Sequence, residues 1–208
     1  MLAMALLSSY LIGSFPTGYL LVKWIKGMDV RTMGSGSVGA TNVTRAAGSG
    51  AGRLVFLIDV GKGLLAATVL APWLVRPATP AVQLSCGLAA VAGHCFPVFL
   101  QFHGGKGVAT TIGVLLGVMP AVAGIALGVW VACFLLWRYV SVGSLAAAVT
   151  IPIAQYAMRQ PWPDTLLGVA LALLIIARHR DNIARLLQGR EHRFGRKGSE
   201  AQDRHGEG

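Results

Sequence analysis

The chain has 208 residues, 54% apolar and 12% charged, with a formal net charge of +10 and a mean hydropathy of +0.63. Soluble domains carry about 25% charged residues, so there is too little charge here to cover a globule in water. Disorder, a coiled coil, collagen and a soluble nucleic-acid binder are disfavoured. An all-α, polytopic membrane protein remains, with its excess positive charge outside the bilayer.

At about 20 residues per spanning helix, seven short spans and tight loops nearly use up the length. Residues 1–195 therefore read as one integral-membrane domain, and residues 196–208 as a disordered polar tail. Residues 1–22 form an apolar run interrupted by Gly13, Pro16 and Gly18. No basic residue precedes it, so it reads as a retained first span rather than a signal peptide. Residues 23–53 are rich in Gly, Ser, Thr, Lys and Arg and read as a loop. Spans follow at 54–75 and 81–100, then a loop at 101–107. Residues 108–137 are too long for one span. Met119–Pro120 divides them into a short helix, 108–118, packed inside the bundle, and a full span, 120–137. Residues 141–158 and 164–177 complete the set. Cys86, Cys95 and Cys133 lie in apolar stretches without zinc spacing.

Charge assigns the sides. Fifteen of the 18 basic residues fall on one set of loops and the tail, two on the other set, and Lys62 lies within a span. The positive-inside rule places the tail and the basic loops in the cytoplasm and the N-terminus outside.

Five constellations carry chemistry. In Gly34-Ser35-Gly36-Ser37-Val38-Gly39-Ala40-Thr41-Asn42-Val43-Thr44-Arg45, glycines let backbone N–H groups approach a ligand. Ser35, Ser37, Thr41 and Asn42 add side-chain donors, and Arg45 adds a fork suited to phosphate. The alternative is a flexible polar loop. Asp59 and Lys62 share a helix face inside a span; they either border a charged-ligand site or only lock two helices together. His94 precedes a second loop, Gly104-Gly105-Lys106-Gly107, which opens an apolar helix as an anion site would; a basic turn is the alternative. Arg138-Tyr139-Val140-Ser141 is a tight turn in which Ser141 is an N-cap or a donor. Arg178-His179-Arg180-Asp181-Asn182 begins an amphipathic helix, which either lies on lipid or turns His179 and Asn182 toward the other loops. Three of these elements, carrying Arg45, Lys106 and His179 with Asn182, map to the cytoplasmic rim, which suggests a site for phosphorylated molecules at the membrane surface.

The segments GSGSVGATNVTRA, DVGKG, GHCFPVFLQFHGGKGVAT, RYVS and RHRDNIARLLQGREHR resemble the motifs of the PlsY family, the bacterial acyl-phosphate:glycerol-3-phosphate acyltransferases. The match runs from about residue 10 to residue 194. One position departs from it: Ser37 stands where the family usually has Asn. No His is followed five residues later by Asp, so the H-x4-D dyad of other glycerolipid acyltransferases is absent. The resemblance implies a seven-span enzyme of the bacterial inner membrane. It would move an acyl group from acyl phosphate to the primary hydroxyl of glycerol 3-phosphate, giving 1-acyl-glycerol 3-phosphate in phospholipid biosynthesis, without metal or other cofactor. Ser35, Lys106, His179 and Asn182 would be catalytic. Gly34, Gly36, Ser37, Gly39, Thr41, Asn42, Arg45, Gly104, Gly105, Gly107 and Ser141 would hold phosphate, with Asp59, Lys62 and His94 in support. His179 or the departing phosphate would take the proton. Its partners would be acyl phosphate, glycerol 3-phosphate and membrane lipid, with no nucleic acid. A phosphate transporter and a lipid-binding scaffold are the rival readings.

Overall fold

The computed structural model describes residues 1–194, and the tail expected at 196–208 lies outside them. Among the described residues every regular element is helical. The first apolar segment is broken. Helix α1 (Leu2–Ser14) stops at Phe15, and α2 (Thr17–Lys26) starts after Pro16. Proline lacks an N–H and drives the residue before it out of the helical region, and Phe15 sits at φ −58°, ψ 119°. The Phe15 carbonyl freed by the break accepts from Lys62 Nζ at 2.6 Å. Lys23 and Lys26, expected in a loop, end α2 instead, where cations meet the negative end of the helix dipole.

Helix α3 (Ala40–Leu65) continues through a π turn (Ala66–Leu70) into α4 (Ala71–Leu74). The loop expected across residues 23–53 is therefore helical from Ala40 onward. Only Gly48 leaves the helix, at φ 89°, ψ 167°, a region open mainly to glycine. Gly52 has a packing role instead: a Cβ there would stand 1.8 Å from Thr44 Oγ1 across the kink. A run of small residues reads as a loop in sequence, yet here it lets two helical pieces touch.

Helix α5 (Pro80–Cys95) packs tightly on α1. A Cβ on Gly13 would lie 2.0 Å from the Ala90 carbonyl oxygen, and one on Gly93 would lie 2.1 Å from that of Tyr10. Small residues permit such close approach between membrane helices. Next come α6 (Val108–Val118), α7 (Pro120–Trp137), α8 (Val140–Ala157) and α9 (Trp162–Arg178). Helix α10 (Arg180–Leu187) leaves α9 at a bend of 58°. The division of residues 108–137 at Met119–Pro120 falls where the sequence placed it. Eleven residues make α6 about 16 Å long against a hydrocarbon core of about 30 Å, and it packs against α3 and α5 inside the bundle.

Among the described residues five helical segments are long and apolar enough to span, or six with α9 and α10 taken together, and α6 is a shorter apolar helix. The main core lies among α5 to α9, around Leu84, Val91, Val114, Leu115, Ile151 and Leu171. A smaller core of Val22, Val30, Val38, Val43, Val55 and Leu100 supports the basic loops. Placing a side chain between α1 and α5 should split that contact. Gly93→Val is expected to lower stability by at least about 2 kcal/mol, measured as the thermal unfolding midpoint in detergent.

Candidate active site

The glycine-rich loop is organised by one buried amide. Asn42 Nδ2 donates to the carbonyls of Val30, Met33 and Ser37 at 3.1, 3.0 and 2.8 Å, and Oδ1 accepts from the Ser35 N–H at 3.0 Å. Gly34, at φ +53°, lies so close that a Cβ would stand 2.4 Å from Asn42 Oδ1. Asn42 was expected on phosphate. Its hydrogen-bonding groups are spent on the loop, as a buried amide requires, so it shapes the site instead. Ser37 Oγ likewise accepts from the Gly39 N–H at 3.2 Å, closing a local turn. The loop exposes Gly34, Ser35 and Gly36, and Thr41 and Arg45 are exposed on the helix that follows. Gly39 caps that helix and its first turn has no side-chain cap.

The second loop is pinned from two sides. The Gly105 N–H donates to the His94 carbonyl at 3.0 Å. Arg178 donates from Nε to the Gly105 carbonyl at 3.0 Å and from Nη2 to the Gly104 carbonyl at 3.1 Å. A Cβ on Gly105 would stand 2.1 Å from His94 Nε2, and one on Gly104 would stand 2.2 Å from the His94 carbonyl oxygen. Both glycines were expected to turn N–H groups toward phosphate. Both are buried with His94 directly against them, and the Gly105 N–H is already taken by the His94 carbonyl. The loop offers Lys106 and the uncapped first turn of α6, which Gly107 begins.

The corner between α9 and α10 completes the cluster. Lys106 Nζ donates to Asn182 Oδ1. Asn182 Nδ2 donates to Glu191 Oε1 at 2.7 Å, and Ser141 Oγ donates to the same oxygen at 2.9 Å. Arg185 Nε donates to Glu191 Oε2 at 2.8 Å. Ser141 is therefore part of the cluster and not an N-cap. Sequence reading missed Glu191, Arg185 and Arg178. The available signal for Glu191 was an acidic residue set between Arg190 and Arg193 in a basic tail.

Charge ties the pieces together. Burial draws the Lys106 pKa down to about 8; the Glu191 carboxylate pulls it back up, while Arg185 and Arg45 push it further down. Arg45, Lys106 and Arg185 thus share one electrostatic neighbourhood. Burial raises the Glu191 pKa, but hydrogen bonds from Asn182, Arg185 and Ser141 prevail and hold it below its usual value. His179 is buried, and its Nδ1 lies 2.8 Å from the Ile175 carbonyl oxygen. Burial draws its pKa to about 4. It is neutral near pH 7, with its proton on Nδ1 because a carbonyl only accepts, which leaves Nε2 as an acceptor.

Asp59, Lys62 and His94 stand behind these loops. Lys62 Nζ is 2.7 Å from Asp59 Oδ1, and His94 Nδ1 is 3.7 Å from the same oxygen. They line a cleft of about 200 Å3 with Ser14, Thr17 and Val38. A second, apolar groove of about 410 Å3 opens along α6, α7 and α8, lined by Val108, Thr111, Leu115, Ala126, Ala147 and Ile151 among others.

Fold and composition together define an integral-membrane protein, with Lys106, Ser141, Asn182, Arg185 and Glu191 gathered into one polar cluster. The family model described as glycerol-3-phosphate acyltransferase matches residues 3–189. Glycerol-3-phosphate acyltransferases of Synechococcus elongatus and Gloeobacter violaceus are 43% and 46% identical to the chain. These matches cover 94% and 90% of this chain, and 95% and 92% of those proteins. Two crystal structures of PlsY, an integral membrane glycerol 3-phosphate acyltransferase, superpose with TM-scores of 0.87 and 0.84 at 43% identity. They are its glycerol 3-phosphate and lysophosphatidic acid forms, and each match covers 93% of this chain and at least 95% of the other. The chain belongs to this family of membrane glycerol-3-phosphate acyltransferases. It is an enzyme of phospholipid synthesis, and the transporter and scaffold readings fall away.

Removing the Glu191 carboxylate leaves Asn182, Ser141 and Arg185 unpaired. Glu191→Ala is expected to cost about 2 kcal/mol, read as a lowered unfolding midpoint. The pH dependence has a defined sign. Because the folded pKa of Glu191 is lowered, its stabilisation is complete above the unfolded value of about 4.3 and fades as pH falls toward the folded one. The stability gap between wild type and Glu191→Gln should narrow only below that pH.

Proposed function

We propose that the chain transfers an acyl group from acyl phosphate to the primary hydroxyl of glycerol 3-phosphate at the basic end of its bundle. The observation that carries this reading is the convergence of Arg45, Lys106, Ser141 and Asn182 from four separate segments on one neighbourhood. Two anions repel each other, and a gathered set of cations and amide donors offsets that repulsion in a partly dry site. Lys106 and Arg45 hold phosphate. Ser35, whose hydroxyl has no partner among the described residues, and Asn182 orient the reacting groups.

The step is a displacement at an activated carbonyl. The glycerol oxygen bonds to the acyl carbon, the bond from that carbon to the phosphate oxygen breaks, and inorganic phosphate departs. The hydroxyl proton needs an acceptor. His179, with a pKa near 4, is a poor match for a base working near neutrality. The phosphate, with a second pKa of about 6, is better matched and already beside the hydroxyl. We assign the proton to the phosphate and give His179 the role of a neutral orienting group. The acyl chain lies in the apolar groove that starts at Val108, two residues beyond Lys106. The excess of basic residues at this end supports a site on the cytoplasmic face of the bacterial inner membrane, with the N-terminus outside.

Purified protein given palmitoyl phosphate and glycerol 3-phosphate should form lysophosphatidate, and palmitoyl-CoA should not substitute. Lys106 loses its charge above pH 8, so kcat/KM for glycerol 3-phosphate should fall there. Lys106→Arg, which stays charged, should abolish that limb if it retains activity. The acid limb should persist in His179→Gln; its disappearance would reassign the proton to His179. Ala126→Leu should raise the KM for palmitoyl phosphate about tenfold, equivalent to unburying roughly two methylenes, with a smaller effect on a short-chain acyl phosphate.

A further inference from the structure

Arg178 ends α9, and its guanidinium is committed to backbone. It reaches the carbonyls of Gly104 and Gly105 with two separate donors and lies 5.0 Å from the centre of the Phe96 ring. Among the described residues no carboxylate stands within 4.0 Å of it. In a trans peptide the C=O and N–H point opposite ways. With the Gly104 carbonyl turned to Arg178, the Gly105 N–H points away, and there the His94 carbonyl receives it. With the Gly105 carbonyl turned the same way, the N–H of Lys106 is likewise directed away from Arg178.

The next residue is Lys106, whose Nζ is held by Asn182. Arg178 and Asn182 are four residues apart on the same corner. One corner therefore grips the loop's backbone with one side chain and the lysine's head with another. We propose that Arg178 is a positioning residue for acyl transfer: its planar fork clamps the Gly104–Gly105 peptides against His94 and so sets the reach of Lys106 toward the substrate phosphate. This rests on Lys106 meeting that phosphate. A lysine at 178 keeps the charge but lacks the fixed two-pronged geometry.

Arg178→Lys and Arg178→Gln are both expected to lower kcat/KM for glycerol 3-phosphate at least about tenfold, as a displaced catalytic group does. Both should also move the alkaline limb set by Lys106 upward, because a loosened loop lets the ammonium regain water. The other charges near Lys106 are Glu191, Arg185 and Asp181 from the α10 side and Arg45 from α3. All are unchanged in these variants, and Arg178→Lys also keeps the cation at position 178, so the movement in Arg178→Lys reports the loop, whereas in Arg178→Gln the lost charge adds to it. Wild-type kcat/KM in Arg178→Lys overturns the proposal. So does a loss of activity with an unmoved limb and a lowered unfolding midpoint, which marks a purely structural role. If neither variant folds in detergent, amide exchange of the unaltered protein decides. A Gly105 N–H far slower to exchange than that of Gly104, which has no acceptor among the described residues, supports the clamp, and one as fast overturns it. Lys106→Ala serves as the control: full activity there removes the Lys106 reading itself, whatever Arg178 does.

Discussion

A backbone group without a hydrogen-bond partner inside a membrane costs several kcal/mol, and this penalty governs how the protein is built. Its helices can stop only where something else receives the orphaned carbonyls. At the first break Lys62 meets the carbonyl of Phe15. At the loop before α6, Arg178 meets those of Gly104 and Gly105. Both of these interruptions are met by a long cationic side chain from another helix. The breaks that let polar loops enter the bundle therefore also draw positive charge to its basic end.

That charge has its own constraint. Lys106 and Arg45 repel each other, and burial penalises Lys106. Glu191 offsets the repulsion from a place where it binds Asn182, Ser141 and Arg185 at once. The same carboxylate fixes the amide of Asn182 with its NH2 toward Glu191 and its oxygen toward Lys106. One acidic residue thus sets both the field and the orientation of the donors. Charges of both signs in a tight network hold their geometry without waiting for substrate, which is what electrostatic catalysis requires.

Much of this was legible from the amino-acid order. The scarcity of charge gave the membrane class, and Met119–Pro120 gave the division between α6 and α7. The asymmetry of Lys and Arg supports an orientation for the two ends. What escaped was contact between distant segments. Gly104 and Gly105 have the composition of a phosphate loop, but His94, ten residues earlier, makes glycine necessary there. Asn42 has the chemistry of a ligand, yet three carbonyls of its own loop claim its amide. The run from Gly48 to Gly52 looks flexible in one dimension, yet in three Gly48 is a kink and Gly52 a close contact with Thr44. A side chain's donors are visible in sequence, but the neighbour that has already used them is not.

The half-length of α6 sets the height of the chemistry. Helix α7 is about 27 Å long and α6 about 16 Å, and they join at Met119. The start of α6 therefore sits roughly 10 Å short of the level where α7 ends at Trp137. Val108 shares the apolar groove with Trp130, two turns before that end, at the same depth. Lys106, half-buried and two residues before Val108, is therefore set back from the Trp137 end of α7. On the proposed function, a donor with a long acyl chain would enter sideways from the lipid and a water-soluble acceptor from the end of the bundle, so the two need no common doorway.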